Sequence, residues 1–369
     1  MNMPSYYQND LFNELCKRYD NFEVIYAHEA DSARKKQGWN FNLVQNYESK
    51  IIGKNLNIKQ LIQYVYANRK STHIINGIWA EKYFFFVLLL LMLLGSNFFI
   101  YSEAPVPQKK RSFIKKLVLN CIVKPVSKRL IYGAKGFFAV SIFAVNYFKS
   151  LNLKSEKIYR FGYFRNVEKP DFIKKESNIN QLIFVGQLIE RKGIFMLLEA
   201  VKNLVRIIPN FHINIIGSGI LENQIKQYVQ THHLENFITL RGVINSENIA
   251  QFIQKADLLI LPSVFDGWGI VVNEALQNHV PVLISDQCGA KELIRNEENG
   301  LIFEAQNTES LTKQLSKFLQ FSSEEKSKMK SKIIETTKKI EIPVVADYMV
   351  ACLDHAENIT SHKPTVPWL

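Results

Sequence analysis

Two carboxylates flank a pair of glycines in the sequence PSVFDGWGIVVNEAL, which spans residues 262–276. The apolar run DLLIL before it predicts a buried strand, so Asp266 and the glycines fall in the loop at the carboxyl end of that strand. Gly267 and Gly269 let a ligand approach the main chain closely. A helix is predicted to begin near Ile270, and its first amide groups favour an anion such as a diphosphate.

Carboxylates beside anion-binding amides suit a ligand that joins hydroxyl groups to phosphates. A carboxylate accepts hydrogen bonds on both oxygens, so Asp266 fits the hydroxyls of a sugar. Glu274, one turn inside the predicted helix, fits the hydroxyls of a ribose, with the phosphates at the amides between. The pattern therefore indicates a nucleotide sugar. The plainer alternative is an N-cap aspartate followed by an ordinary surface glutamate.

A second glycine-containing turn, VGQLIERKG at residues 185–193, also follows a predicted strand. It places Gly186 at the strand end and Lys192 close to the start of the next helix, where the lysine can neutralise phosphate charge. The pattern does not fix the position of Arg191. The alternative is a lysine directed to solvent, which is the commoner position for a lone lysine.

Three further strand–turn–helix junctions complete the second half of the chain. IIGSGIL gives Gly217 and Gly219 a tight turn, although a lone G-x-G is a weak signal. LRGVINSENI places Val243 and Ile244 where their backbone groups can meet the edge of a base, the alternative being a simple helix entry. SDQCGAKELI repeats the pattern and predicts an exposed Glu292.

Predicted strands and helices alternate along the chain, which is typical of parallel βαβ units. In the first half, strands are predicted near residues 22–27, 73–78, 97–101 and 137–140. Helices are predicted there near residues 8–19, 56–69, 80–94, 110–131 and 142–151. In the second half, strands are predicted at residues 181–186, 211–217, 237–240, 257–261, 280–285 and 300–303. A helical tail follows and breaks near Ile342 and Pro343.

These elements predict an α/β protein with two Rossmann-like, doubly wound domains that face a cleft. The domains are residues 1–165 and 166–341, and residues 342–369 form a C-terminal helix and tail predicted to pack on the first domain. Ligands of open parallel sheets bind outside the carboxyl ends of the strands, so the cleft is the expected site. The opening MNMPSYYQND looks like a loop after a first strand, so that strand is expected to be absent.

The ordered motifs VGxLxxxKG, GSG, RG, PSxxDGWGxxxxEA, PVLISDxxGAxELI and NGLIF resemble the donor-binding domain of GT-B-fold, retaining glycosyltransferases of family four. The resemblance implies transfer of a sugar, hexose-like, from a nucleotide-diphospho-sugar to an acceptor hydroxyl, without a bound metal or other cofactor. Consistently, the sequence contains no D-x-D motif. By resemblance, Glu274 binds the ribose, Asp266 the donor sugar and Lys192 the diphosphate.

The donor site implied by the resemblance draws on all of these junctions. Its residues are Gly186, Gln187, Arg191, Lys192, Gly217, Gly219, Val243, Ile244, Asp266, Gly267, Trp268, Gly269, Ile270, Val271 and Glu274. Two positions depart from the family pattern, which usually has glutamate where Asp266 stands and often arginine where Gln187 stands. The shorter carboxylate bears on the choice of donor, and the missing charge leaves the diphosphate to Lys192 and Arg191.

The first half resembles the family less strongly, chiefly in PSYYQNDLF and NGIWAEK, and in the family this half binds the acceptor. The candidate acceptor-binding residues are Tyr7, Gln8, Asp31, Arg34, Asn76 and Trp79. Trp39 is a further candidate. The catalytic set is Asp266, Glu274, Lys192 and Glu103. Glu103 enters it as a polar positioning group rather than a base. For two of the acceptor candidates there are plainer alternatives: a core position for Trp79, and a solvated basic run at residues 34–36.

Composition and sequence motifs favour a globular enzyme over other classes of protein. The chain is 47% apolar and 22% charged, which is globular, and its four scattered cysteines fit a reducing compartment. A sugar-nucleotide epimerase of the same architecture is the alternative enzyme, but it would need acid–base groups around the sugar and no acceptor. Nucleic-acid binding is disfavoured because the sequence has no basic-aromatic module.

The net charge of +12 is concentrated in the first half. Residues 105–165 hold 14 basic residues and one acid, Glu156. The apolar run from Tyr83 to Leu94 is shorter than the roughly 20 residues that span a bilayer. These features predict a cytoplasmic enzyme attached peripherally to the anionic inner face of the cell membrane, acting on a lipid-linked or other glycan acceptor. The alternative is a solvated basic face.

Overall fold

The computed structural model describes residues 1–29, 43–77, 81–105, 124–167 and 179–369. Within these ranges the chain forms two parallel β-sheets, one from each half of the sequence, and a separate pair of parallel strands. Helices connect successive strands in both halves. The predicted pair of α/β units built from βαβ repeats is confirmed.

The first half supplies the smaller sheet. Its described elements are α1 (Tyr6–Leu15), β1 (Glu23–Tyr26), β2 (Glu48–Ile51), α2 (Ile58–Ala67), β3 (His73–Asn76), α3 (Lys82–Leu93), β4 (Phe98–Glu103), α4 (Lys124–Gly133), β5 (Gly136–Val140), α5 (Ser141–Ser150) and β6 (Ile158–Phe161). The sheet order is β3-β4-β5-β6, and β1 pairs with β2. Of the predicted helix at 110–131, only the part from Lys124 onward lies among the described residues.

Two apolar clusters cover the two faces of this sheet. On one face, helices α2 to α5 contribute side chains such as Leu61, Leu88, Leu130 and Phe148. The other face belongs to a cluster that includes α1 and continues into the second half of the chain. The four helices on the first face therefore form one outer layer of the molecule.

The second half forms a six-stranded parallel sheet. Its elements are β7 (Asn180–Val185), α6 (Ile194–Leu204), β8 (Phe211–Ile216), α7 (Glu222–Thr231), β9 (Ile238–Gly242), α8 (Ser246–Lys255), β10 (Leu258–Leu261), α9 (Val271–Gln277), β11 (Val282–Ser285), β12 (Gly300–Phe303), α10 (Thr308–Leu319), α11 (Ser323–Lys339) and α12 (Ile342–Ala356). The order β12-β11-β10-β7-β8-β9 reverses between β7 and β10. A crevice at such a reversal is where doubly wound sheets bind ligands.

The final helix, α12, returns to the first half of the chain. Arg18, in the turn after α1, forms an ion pair of 2.7 Å with Asp347, and the Tyr348 hydroxyl donates to the carbonyl of Arg160 in β6 (3.1 Å). Pro343 lies in the first turn of α12, where its missing N–H is tolerated. The break predicted near Ile342 is confirmed, while the exact domain boundaries stay predictions.

Sequence patterns missed two short strands of the first half. β2 has the sequence ESKI, whose charges hide the alternation of a strand, and β6 has only four residues. The carbonyls of Met1 and Asn2 accept hydrogen bonds from the N–H groups of Ala27 and His28, at 2.9 and 3.0 Å, so the first residues run beside the end of β1. Among the described helices none combines the length and apolarity needed to cross a bilayer.

Candidate active site

The loops that follow β7 and β10 lie side by side, because these strands are neighbours at the reversal. Gly193 ends the first loop with a φ of +67°, and a Cβ added there would lie 1.9 Å from the carbonyl oxygen of Pro262 in the second. The N–H of Val264 also donates to the carbonyl of Arg191 (2.9 Å). Direct backbone contact therefore brings the two loops together.

Lys192 and Asp266 form an ion pair where these loops meet, with Nζ of the lysine against Oδ2 of the aspartate. Both side chains are largely buried, so this lysine is not directed to solvent. Arg191 joins the cluster, because its Nη1 donates to the carbonyl of Phe265 (2.9 Å) and lies 3.6 Å from Oδ1 of Asp266. The predicted phosphate cation and the predicted sugar carboxylate are thus neighbours.

Glu103 reaches this cluster from the other sheet. It ends β4, and a Cβ added to Gly267 would lie 2.1 Å from its Oε2 atom. Any side chain at 267 would collide with the carboxylate, so the glycine is required for this contact. Glu103 therefore bridges the carboxyl end of the first sheet and the glycine loop of the second.

A group of tyrosines surrounds Glu103 on the side of the first sheet. The Tyr163 hydroxyl donates to Oε1 of Glu103 (2.9 Å), and its ring centroid lies 5.1 Å from that of Tyr7 and 5.8 Å from that of Tyr101. Burial, reinforced by the Glu103 charge, holds the pKa of Tyr163 well above its ordinary range. Its phenol therefore stays protonated and can donate. Sequence analysis named Tyr7 but not Tyr163, which lies near the end of the predicted first domain.

Glu274 is buried and paired, so it is not an ordinary surface glutamate. Its Oε1 lies 2.9 Å from Nη1 of Arg165, whose guanidinium also stacks over the ring of Tyr6 at 4.6 Å. Burial raises the pKa of Glu274, and the charge of Arg165 opposes that rise. The Arg165 carbonyl accepts from Nε2 of Gln277 (2.6 Å). No motif or spacing pointed to Arg165.

The helix that carries Glu274 has seven residues. It begins at Val271, one residue after the expected start, and ends at Gln277. The N–H groups of Val272 and Asn273 already donate to the carbonyls of Gly269 and Ile270, each at 3.0 Å. This short helix therefore has fewer free N–H groups for an anion than the sequence suggested. Lys192 is the stronger candidate for contact with a phosphate.

Trp268 can serve the predicted donor site through its main chain. Its indole is buried, packs against Gly162 and donates through Nε1 to Oδ1 of Asn273 (2.9 Å). Only the main chain of Trp268 is therefore available to a ligand. The packing partner of the indole, Gly162, is 106 positions away in the chain.

The remaining donor candidates lie in the neighbouring loops. Gly217 has a φ of +136°, and a Cβ there would lie 1.9 Å from the carbonyl oxygen of Gly186. Gly219 makes a similar approach to the carbonyl of Leu188. The half-buried Gln187 belongs to the same loop, whereas the exposed Val243 and the half-buried Ile244 follow the edge strand β9.

Only some of the acceptor candidates lie among the described residues. Gln8 is buried, and its Oε1 accepts from the hydroxyl of Ser5 (3.1 Å), while Asn76 is half-buried at the carboxyl end of β3. Asp31, Arg34, Trp39 and Trp79 lie outside the described residues. Over the described ranges, no three His, Cys, Asp or Glu side chains are grouped so as to hold a metal ion.

The expected exposure of Glu292 is wrong. Its side chain is only 4% exposed and joins the two halves of the chain. Oε1 accepts the N–H of Ile142 in the first turn of α5, and Oε2 lies 3.8 Å from Nε of Arg160. A carboxylate at a helix N-terminus is favourable, yet burial raises the pKa of Glu292 to about 7, with Arg160 and the Ile142 amide opposing the rise.

We expect Glu292 to make the protein less stable as the pH rises. Its ordinary pKa is 4.5, so between pH 4.5 and about 7 the folded protein binds a proton that the unfolded chain has released. This stabilisation is complete below pH 4.5, is lost as the pH rises through about 7, and is on the order of 3 kcal/mol. Glu292→Gln keeps the acceptor oxygen and should not show the loss. Urea-unfolding midpoints of both proteins across this range are the check, and a pH-independent difference would contradict it.

Comparison with known proteins connects this site to a family. Residues 167–339 match the family model described as glycosyl transferases group 1. Over 164 residues the chain is 29% identical to an uncharacterised glycosyltransferase of Methanocaldococcus jannaschii, covering 44% of each protein. Over 174 residues it is 24% identical to the putative colanic acid biosynthesis glycosyltransferase WcaL of Escherichia coli, covering 46% of this chain and 43% of WcaL. The matched segments thus span less than half the length of these curated relatives.

A solved structure covers the whole architecture. HepE of Anabaena in complex with UDP aligns with a TM-score of 0.69 and 15% identity, covering 96% of this chain and 100% of HepE. The fold is therefore the two-domain GT-B fold of glycosyltransferases. The part of the chain that carries the donor loops, residues 167–339, is similar to the glycosyl transferases group 1 family.

Proposed function

We propose that this protein transfers a hexose-like sugar from a nucleotide-diphospho-sugar to an acceptor hydroxyl, with retention of anomeric configuration. The observation that carries the proposal is the meeting of Lys192 and Asp266 at the reversal of the second sheet, with Glu103 of the first sheet against Gly267. The UDP in the HepE complex and the assignment of WcaL to colanic acid biosynthesis support a nucleotide sugar and a glycan acceptor.

The donor loops must stabilise the negative charge that develops on the leaving group. When the bond between C1 of the sugar and the diphosphate oxygen breaks, negative charge grows on that oxygen. Lys192 is the buried cation of the cluster, and Arg191 lies beside it. The acceptor oxygen bonds to C1, and the acceptor proton leaves with the departing diphosphate oxygen. In this proposal Lys192 exchanges its contact with Asp266 for the diphosphate and frees Asp266 for sugar hydroxyls.

The groups from the first sheet position the reacting partners. Glu103 accepts from Tyr163 on one oxygen, and its other oxygen faces Gly267, which leaves the carboxylate between the proposed sugar and acceptor positions. It acts there as an orienting acceptor, while the protonated Tyr163 fixes its direction. Tyr7, beside Tyr163, adds an aromatic surface for the acceptor.

Ribose binding requires a rearrangement at the junction between the two halves of the chain. Glu274 already accepts from Arg165, so the ribose hydroxyls must share or displace that partner. Arg165 lies between the last strand of the first sheet and the first strand of the second. Donor binding at Glu274 is thereby linked to the segment that joins the two halves.

A screen of nucleotide sugars tests the proposal. The protein is incubated with each candidate donor, with and without a glycan acceptor, and the released nucleoside diphosphate is measured. Slow release without acceptor and faster release with it are expected for one donor. Conversion of the donor sugar to its epimer without release would favour an epimerase instead, and no release from any donor would contradict the proposal.

Turnover is expected to survive an excess of chelator. Lys192 and Arg191 supply positive charge to the diphosphate, and the sequence has no D-x-D motif. The rate of diphosphate release with the identified donor is measured before and after dialysis against EDTA. Complete loss of activity that manganese or magnesium restores would contradict metal independence.

We also propose that the enzyme acts at the inner face of the cell membrane on a lipid-linked acceptor. The support is the basic excess of residues 105–165 together with the short apolar helix α3. Anionic lipids attract such a surface, and the attraction weakens with added salt.

A further inference from the structure

Helix α3 is apolar on both of its sides. Leu88 and Leu91 are buried in the cluster that packs on the sheet, and Phe84 is also buried. The opposite side carries Phe86, which is exposed, and Leu93, which is 72% exposed. A helix that covers a sheet normally turns a polar face to water. The outer side of α3 lacks one, so packing onto the first sheet does not account for its composition.

The neighbouring helix α2 continues the apolar surface. Ile58, Ile62 and Tyr66 are spaced four residues apart, so they lie on one side of the helix, and all three are exposed. Leu61 and Val65 face the core instead. Helix α2 packs against α3, and α3 against α4. The three helices therefore present one outer layer, and we call Ile58, Ile62, Tyr66, Phe86 and Leu93 the apolar face.

Exposed basic residues lie on or next to two of these helices. Lys59 on α2, Lys70 just after it, and Lys128 and Arg129 on α4 are exposed. The sequences of α2, α3 and α4 contain no aspartate or glutamate. An apolar surface framed by charges of one sign is complementary to a bilayer with anionic headgroups.

We propose that the apolar face, with its basic frame, is the surface by which the protein docks on an anionic membrane. The inference rests on the proposed function and deepens it, because it names the surface that would bring the enzyme to a lipid-linked acceptor. A second copy of the chain suits the face less well. A twofold contact would set each basic frame against its own copy, and like charges would repel.

The placement of this layer agrees with a membrane-borne acceptor. Helices α2, α3 and α4 cover one face of the first sheet, whereas α1 and α12 belong to the cluster on the other. The candidate active site lies at the carboxyl ends of the strands, which is an edge of the sheet and not either face. Docking through the apolar face therefore leaves the cleft open.

Vesicle binding of charge-introducing variants tests the docking surface. Leu93→Glu and Ile62→Glu each place a carboxylate on the apolar face, and Ile220→Glu is the matched control, since Ile220 is 81% exposed in the second half of the chain. Sedimentation with phosphatidylcholine vesicles, with and without phosphatidylglycerol, is measured at low salt. We expect binding to the anionic vesicles to fall about tenfold or more in the first two variants and to be unchanged in the control.

Several outcomes would overturn the proposal. Binding by Leu93→Glu equal to that of Ile220→Glu, or equal binding of the unmodified protein to neutral vesicles, would do so. A shift from dimer to monomer in Leu93→Glu, with vesicle binding unchanged, would assign the face to self-association instead. Circular dichroism confirms that the variants fold. Diphosphate release measured without vesicles should be unaffected, and its absence in every protein would count against the proposed function, not the docking surface.

Discussion

Replacing Lys192 with methionine is expected to lower turnover about 10²- to 10³-fold at saturating donor, the usual effect of removing one preorganised group that stabilises developing negative charge. Lys192 is the buried cation against Asp266 in the crevice, and methionine preserves most of its apolar stem. The rate of nucleoside diphosphate release is the measurement. Lys202→Met is the matched control, because Lys202 lies on α6, the helix that follows Lys192, but pairs with Glu199, and it should leave the rate unchanged.

The loss in Lys192→Met has a second possible origin, since Asp266 would lose its ion-pair partner and stay largely buried. Lys192→Arg restores a positive charge for both partners, so it tests whether the loss comes from the missing charge. Arginine keeps the charge for Asp266 and for a phosphate but presents it as a planar fork, so turnover should recover in part. A rate for Lys192→Met within twofold of the unmodified protein would remove Lys192 from the leaving-group site.

Glu274→Gln is expected to weaken donor binding by roughly 1.5–3 kcal/mol, or about 10- to 150-fold, because a charged acceptor for the ribose hydroxyls becomes a neutral one. Calorimetric titration with the donor identified in the screen measures the change. Glu235→Gln, at an exposed glutamate outside the donor loops, is the control and should bind as the unmodified protein does.

Arg165 makes this prediction more specific. The arginine holds Glu274 in the ligand-free protein, so Arg165→Gln removes a competitor for the carboxylate, and the double variant measures their coupling. If Glu274 binds ribose, the effect of Glu274→Gln persists when Arg165 is already glutamine. If the effect disappears in that background, Glu274 serves only to hold Arg165, and the ribose assignment fails.

Local sequence patterns were sufficient to predict the architecture and the positions of the loops in the second half of the chain. Runs such as DLLIL and VPVLIS are fully buried parallel strands, and continuous apolar runs are how such strands read in sequence. The glycine turns after them lie at the carboxyl ends of the strands, as the sequence predicted. The short strand β2 was harder to predict, because its charged sequence ESKI does not alternate in the way a half-buried strand does.

Contacts between the halves of the chain account for most of what sequence analysis missed. The burial of Glu292 depends on the first turn of α5, 150 positions away in the chain, and the pairing of Glu274 depends on Arg165, 109 positions away. No periodicity or turn signal reports such partners. Glu103 was found because its place at the end of a predicted strand directs it to the edge where ligands bind.

A structure of the protein with a bound nucleoside diphosphate tests the central claim most directly. The account predicts that the ribose hydroxyls lie within hydrogen-bonding distance of Glu274, that the diphosphate contacts Lys192, and that the Lys192–Asp266 ion pair is broken. A nucleotide bound away from the loops after β7 and β10, with both the Lys192–Asp266 and Arg165–Glu274 pairs intact, would contradict it.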